Sequence, residues 1–518
     1  MFLRQLLSLI SAHRLGDRFT RHAQRGSRGR LFEQLESRCV LSCTALVDPL
    51  KSTLVVTGDD GANKVAIRDD GLQGIVVTCD GSVYKADQAK HVGINTLGGP
   101  DTFEVTLGDV KIDPNNPNTP LDLNLNGGGG ADAFLIGLLS VAIEGDLDLT
   151  AEGGDGNDTF DLKVEDVQLT GQTGPESSPH VRLHGGNGAD AFLIGLLNVV
   201  APSGPAALHL DVTGGGGNDD VTAHVQDNSI DLHLDVDLGA GRDTFTATIL
   251  PDSGVNQAGG DFLAIGCIEA NVLGGAGADR FQMSVGQPNA PEPGKPQAQL
   301  SSELMLNFDG GDGADTYLIG LLNVAISGPV TLLGNGGDGN DVFMTRFVGL
   351  NGDGVWKTDF EGGSGNDTLI SSISNFSPEY FVTADLGTGN DLAVISIIGP
   401  DIGQISIEDG APPSLGIDIA GGDGRDSLFL DFRGGLLGPT RVVLDGGEGN
   451  DAIDAVLSLA FTNDYSLLAH VIGGKGNDNL ALHVKVFDAG QSELDLLLDA
   501  SEGRDKYRAS DNVTVQKV

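Results

Sequence analysis

The stretch Gly153-Gly154-Asp155-Gly156-Asn157-Asp158-Thr159-Phe160 is a glycine-rich turn closed by an aspartate, with an apolar residue two places further on. Its core, G-G-x-G-x-D, starts again at Gly127, Gly185, Gly214, Gly274, Gly310, Gly336, Gly362, Gly421, Gly446 and Gly473, which makes eleven strict copies. Leu238 to Asp243 and Leu386 to Asp391 lose only the first glycine. Gly98-Gly99-Pro100-Asp101 is a shortened copy, and Ala500 to Asp505 keeps the second half. Internal repetition at this scale predicts one array of stacked units rather than several ordinary domains.

Each position has a physical job. Glycine reaches backbone angles closed to residues with a Cβ, so a run of glycines can bend tightly and is expected to aim its carbonyls inward. A carboxylate beside those carbonyls makes an all-oxygen nest, the donor set preferred by a hard cation such as Ca²⁺. The expected ligands are Asp101, Asp132, Asp158, Asp190, Asp219, Asp243, Asp279, Asp315, Asp341, Asp367, Asp391, Asp426, Asp451, Asp478 and Asp505. Backbone carbonyls of Gly153, Gly154, Gly156, Gly310, Gly311, Gly313, Gly336, Gly337, Gly339, Gly362, Gly363 and Gly365 complete the set. The alternative is a metal-free Asx turn, in which the aspartate caps backbone N–H groups. Two residues after each aspartate an apolar side chain should enter a core, as at Phe103, Phe134, Phe160, Phe192, Phe281, Tyr317, Phe343 and Tyr507, with Ala393 the weakest.

The turn and its apolar anchor resemble the haemolysin-type, or RTX, calcium-binding repeat G-G-x-G-x-D-x-U-x. That resemblance implies a parallel β-roll with Ca²⁺ bound between stacked turns. The period departs from the family's nine residues, since the closing aspartates here are 24 to 36 residues apart.

Around the turns the pattern is β. Alternating runs such as Leu121-x-Leu123-x-Leu125 and Leu304-x-Leu306-x-Phe308 lead in, and runs such as Phe134-Leu135-Ile136-Gly137-Leu138-Leu139 lead out. Period-two alternation buries one strand face. The expected fold is all-β: an elongated parallel β-solenoid of the β-roll or β-helix kind, right-handed, with about 14–15 coils and stacked Gly/Asp turns. At the strand spacing of about 4.8 Å it would be on the order of 70 Å long. Prolines gather in variable segments at 113–120, 171–179, 251–260, 288–296 and 400–413, so insertions are expected on the side opposite the turns.

The expected organisation is a basic segment at 1–45, degenerate capping repeats at 46–110 and the repeat solenoid at 111–518. Residues 1–40 hold eight Arg against Asp17, Glu33 and Glu36, a net +5; of the chain's −43 this leaves −48 on the remainder. Such a surface repels nucleic acid and anionic membrane, and suits cations or basic partners. Leu31 to Ser42 resembles the F-E-x-L-E-x-R-x-L-L-S segment that opens many planctomycete extracellular proteins, which implies export to the cell surface or medium. No apolar run approaches the ~20 residues of a membrane span. Of the four cysteines, Cys39, Cys43, Cys79 and Cys267, the last two are expected as buried apolar residues rather than a bridge once the first segment is removed.

The expected function is a secreted or cell-surface calcium-binding protein with a structural or adhesive role, with extracellular polysaccharide or matrix components as partners. The alternative is a calcium-dependent polysaccharide lyase or epimerase on a β-helix. That chemistry needs a general base beside a cationic cluster, whereas Arg242, Arg425 and Arg504 sit singly in turns. His209, His224 and His233 fall in neighbouring predicted strands without a metal-motif spacing.

Overall fold

The computed structural model describes residues 43–517 apart from 49–51, 70–74, 87–90, 109–110, 113–120, 145–146, 171–177, 203–205, 251–265, 287–297, 301–302, 351–353, 377–378, 400–414, 437, 462–465 and 488–492. The basic export-like segment and most of each proline-bearing insertion lie outside the described residues.

Every coil contributes one strand to each of two sheets. The incoming strand, such as Leu147–Asp155, carries the chain into the glycine turn, and the outgoing strand, such as Thr159–Glu165, carries it away. Incoming strands pair in parallel with those of the coils before and after, as Leu147–Asp155 does with Leu121–Gly129 and His180–Asn187. Outgoing strands do the same, and Thr159–Glu165 lies between Ala133–Leu139 and Ala191–Leu197. Both rows of pairing are open at their ends, so the architecture is a parallel β-solenoid. Short strands add a third side in some coils, at Lys111–Ile112, Ala142–Ile143 and Gln168–Leu169, and at Ala298–Leu300 with Val324–Ile326.

Register follows from the turn. Because the outgoing strand starts at a fixed distance from the closing aspartate, equivalent residues meet in every coil and like side chains form columns. Phe103, Phe134, Phe160 and Phe192 stack at ring-centroid separations of 4.5, 4.7 and 4.7 Å, all fully buried. Phe281, Tyr317 and Phe343 continue the column at 4.7 and 4.3 Å. Tyr507, in Lys506–Ala509, is 37% exposed; among the described residues that strand pairs on one side only, with Asn479–Phe487.

The N-terminal end is built differently. Lys64–Asp69, Ile75–Cys79 and Ser82–Ala86 form an antiparallel meander, and Thr44–Asp48 folds back on Thr53–Thr57. Antiparallel hairpins close the end of a parallel stack without another repeat. Cys43 and Cys79 are disulfide-bonded here, with Cα atoms 6.1 Å apart. This corrects the expectation that Cys79 is unbridged. It also places Cys43 in the folded unit, so a boundary after residue 45 falls too late. Cys267 is free and half-buried.

Candidate metal centre

The fifteen closing aspartates form one column along the turn edge. Fourteen of them, all but Asp505, are at most 2% exposed. The backbone N–H of each aspartate donates to Oδ1 of the aspartate one coil further on, from Asp101→Asp132 through Asp478→Asp505, at 2.6–2.8 Å. The Asn63 N–H starts the series by donating to Asp101 Oδ1 at 2.6 Å. Asn63 therefore closes a first turn that begins at Gly58. Its signal in the sequence was the spacing Gly58, Gly61, Asn63, with asparagine for aspartate.

Oδ1 is thus occupied at every rung, whereas Oδ2 is not. All fifteen Oδ2 atoms are buried and lack a hydrogen-bond partner. In the eleven strict copies it points at the first glycine of its own turn. At Gly127, Gly153, Gly185, Gly274, Gly310, Gly336, Gly421 and Gly446, a Cβ would lie within 3.0 Å of that Oδ2 and of the first-glycine carbonyl of the next coil. At Gly214 and Gly362 the second oxygen is the Leu238 or Leu386 carbonyl. A carboxylate oxygen and a carbonyl oxygen from adjacent coils therefore converge on a space open only because the residue is glycine.

The other expected carbonyls are oriented differently from the sequence expectation. Those of Gly154, Gly156, Gly311, Gly313, Gly337, Gly339, Gly363 and Gly365 point along the stack at the equivalent glycine of the next coil, not into the interior. The reason is hydrogen-bond direction: in a parallel stack the backbone C=O lies along the inter-strand axis. The first-glycine carbonyls of Gly153, Gly310, Gly336 and Gly362 point the opposite way, to the preceding coil. Turn oxygens thus line the gaps between coils from both sides.

Burial dominates the electrostatics. Loss of hydration pushes Asp132, Asp190, Asp243 and Asp451 up to about 6, against the backbone N–H bond that favours the charged form. It pushes Asp279, Asp341 and Asp391 up to about 7, and neighbouring aspartates add to the rise. Carboxylates on rungs about 4.8 Å apart repel by about 3 kcal/mol per adjacent pair at an effective dielectric constant of 20. The column is stable when those charges are neutralised by protons or by a cation. Among the described residues no three of the carboxylates meet at one point. A cation here would be shared between carboxylate and turn carbonyls.

No family model, curated protein or solved structure matches this chain. The site is therefore read from its own chemistry. Its donors are all oxygen, one of them anionic and without a partner, which fits Ca²⁺ better than a transition metal. Among the histidines, His180, His209 and His233 stack on the outer face of the incoming sheet at 4.5 and 4.6 Å, while His224 lies on the outgoing sheet. They are remote in register from the aspartate column. No helix is long and apolar enough to cross a membrane among the described residues.

Proposed function

We propose that the chain is a secreted or surface-bound calcium-binding scaffold, structural or adhesive in role, whose coils are locked together by Ca²⁺ at the turn edge. The observation that carries this reading is the column of buried, partnerless Oδ2 atoms. A hydrogen-bonded Asx-type ladder uses one carboxylate oxygen, and Oδ1 already serves it. The second oxygen faces a carbonyl across the gap at ten of the turns, and two acceptors so placed need a cation, a proton or the hydrogens of a water between them. The resemblance of the turn to the RTX repeat supports the same choice.

Aspartate carboxylates and first-glycine carbonyls would hold the ion, and the ion would supply the positive charge that the column lacks. Binding confined to the folded state adds its free energy to folding. With −48 outside the basic segment, the chain is expected to stay largely unfolded at cytosolic Ca²⁺ and to fold after export. Extracellular Ca²⁺ modules bind at about 10⁻⁴–10⁻³ M, which places the switch between the two compartments. The Cys43–Cys79 disulfide supports an oxidising destination.

Replacing Asp315, Asp341 and Asp367 together with Asn tests the assignment. Asn keeps the Oδ1 acceptor and removes the charge. The Ca²⁺ midpoint for folding should rise, while stability in chelator should hold or improve. An unchanged midpoint would assign the column to hydrogen bonding alone.

A further inference from the structure

Away from the turns, the outer face of the incoming sheet carries a groove that the metal chemistry does not use. Phe381, Gly416, Arg441 and Leu468 occupy one outward register position on four successive coils, and Thr383 and Asp418 lie one step along. Gly416 decides the shape. A Cβ there would lie 2.6 Å from the Phe381 ring, so only glycine lets the ring lean across the neighbouring coil. The result is a cavity of about 360 Å³ whose lining includes Phe381, Asp418, Pro439, Arg441, Ser466 and Leu468. Arg441 donates to Asp418 Oδ2 at 2.9 Å, and both side chains are about half exposed.

The volume lies at the lower end of pockets that hold small ligands, about 300–1,000 Å³. The chemistry narrows the occupant further. A partly exposed aromatic face suits an apolar planar surface. The paired guanidinium and carboxylate offer donors and acceptors with no net charge, and Thr383 and Ser466 add hydroxyls. The strands around the groove carry Asp385, Asp445, Asp495 and Asp499, which disfavour polyanions. A pyranose has one C–H face and a rim of neutral hydroxyls, and matches each of these features.

We propose that this groove is a subsite for a neutral hexose or pentose polysaccharide, with a sugar ring on Phe381 and its hydroxyls on the Asp418–Arg441 pair. The proposal names the partner of the adhesive role given above and rests on that reading for its purpose. The groove itself lies on the sheet and contains no residue of the calcium column.

The test is calorimetric titration of the full chain with cellohexaose, xylohexaose, mannohexaose and hexagalacturonate, at millimolar Ca²⁺ and in chelator, with folding followed by circular dichroism. At least one neutral hexasaccharide should bind, with little dependence on salt. Phe381→Ala and Arg441→Gln should each weaken it tenfold or more, and Gly416→Val should abolish it by displacing the ring. Melting temperatures should stay within a few degrees, and Phe381→Leu stands in if the alanine variant fails to fold. Binding to a folded chain without Ca²⁺ dependence would sink the calcium reading and leave the groove intact. No binding of any neutral hexasaccharide to the folded chain, or binding indifferent to all the variants, would overturn the groove. Tighter, salt-sensitive binding of hexagalacturonate would overturn the assignment to neutral sugars.

Discussion

The two edges of each coil obey opposite rules. On the turn edge, a six-residue motif recurs through the array with two fixed backbone positions: the second glycine of each strict copy has φ between +80° and +106°, and the fourth between +139° and +159°. On the far edge, the chain between closing aspartates varies from 24 to 36 residues. The stack is specified at the turn edge. At the turn, carbonyls of one coil press on glycines of the next, and the aspartate N–H groups from Asp101 to Asp478 find their acceptors one coil away. Nothing larger than hydrogen fits, so the sequence cannot drift there. Opposite the turns, the strands have already set the register, and extra residues cost only loop entropy.

The largest expected effect comes from breaking the turn edge in mid-array. In Gly311→Ala/Gly313→Ala, each Cβ would overlap a carbonyl of the preceding coil at a positive φ. Strain at such angles costs about 1–3 kcal/mol per residue before any overlap. Thermal melts should show a loss of several kcal/mol or a separated, non-cooperative transition. Four Gly/Ser residues inserted within 287–297 should cost under about 1 kcal/mol. Equal sensitivity at both edges would refute the comparison.

A smaller effect is expected at the cap, where the disulfide closes a 36-residue separation instead of a glycine ladder. Cys43→Ser/Cys79→Ser should lose about 2–4 kcal/mol. Hydrogen exchange should place that loss in residues 43–95 and leave the central rungs protected. A uniform loss of protection along the array would show that the cap governs the whole stack.

The pH dependence is diagnostic through its sign rather than its size. The buried aspartates bind protons more tightly folded than unfolded, with seven of them raised from 3.8 to about 6 or 7. The stability this supplies is complete below about pH 4 and is lost as pH rises through 6–7. In chelator, β signal should therefore be stronger at pH 5.5 and fall away by pH 8. With Ca²⁺ the fall should flatten or reverse, because the cation takes the proton's place. A β signal in chelator that rises over this range would mean that the carboxylates are stabilised as anions by the protein alone.

Much of this was legible in the sequence because the repeat is local: six residues fix a turn, and the second residue after it fixes the inward face. The aspartate column, the aromatic stack and the parallel pairing all follow from that spacing. What escaped the sequence is non-local. Cys43 and Cys79 meet only through the antiparallel cap, and Phe381, Gly416 and Arg441 come from three coils with no common motif. The carbonyl direction was missed for another reason, since it depends on the inter-coil hydrogen-bond axis rather than on the turn by itself. Tyr507 keeps the repeat pattern yet is partly exposed, because among the described residues its strand pairs on one side only.

The most direct measurement is Ca²⁺ titration of the full chain from chelator to 10 mM at pH 7.5, with calorimetry and circular dichroism on the same sample. Weak β signal and an expanded hydrodynamic radius are expected in chelator. A cooperative gain of β structure is expected at about 10⁻⁴–10⁻³ M, with heat from several ions per chain. A chain already compact and β-rich in chelator, with no heat of Ca²⁺ binding, would contradict the calcium reading and leave the aspartate column as a proton-neutralised hydrogen-bond ladder.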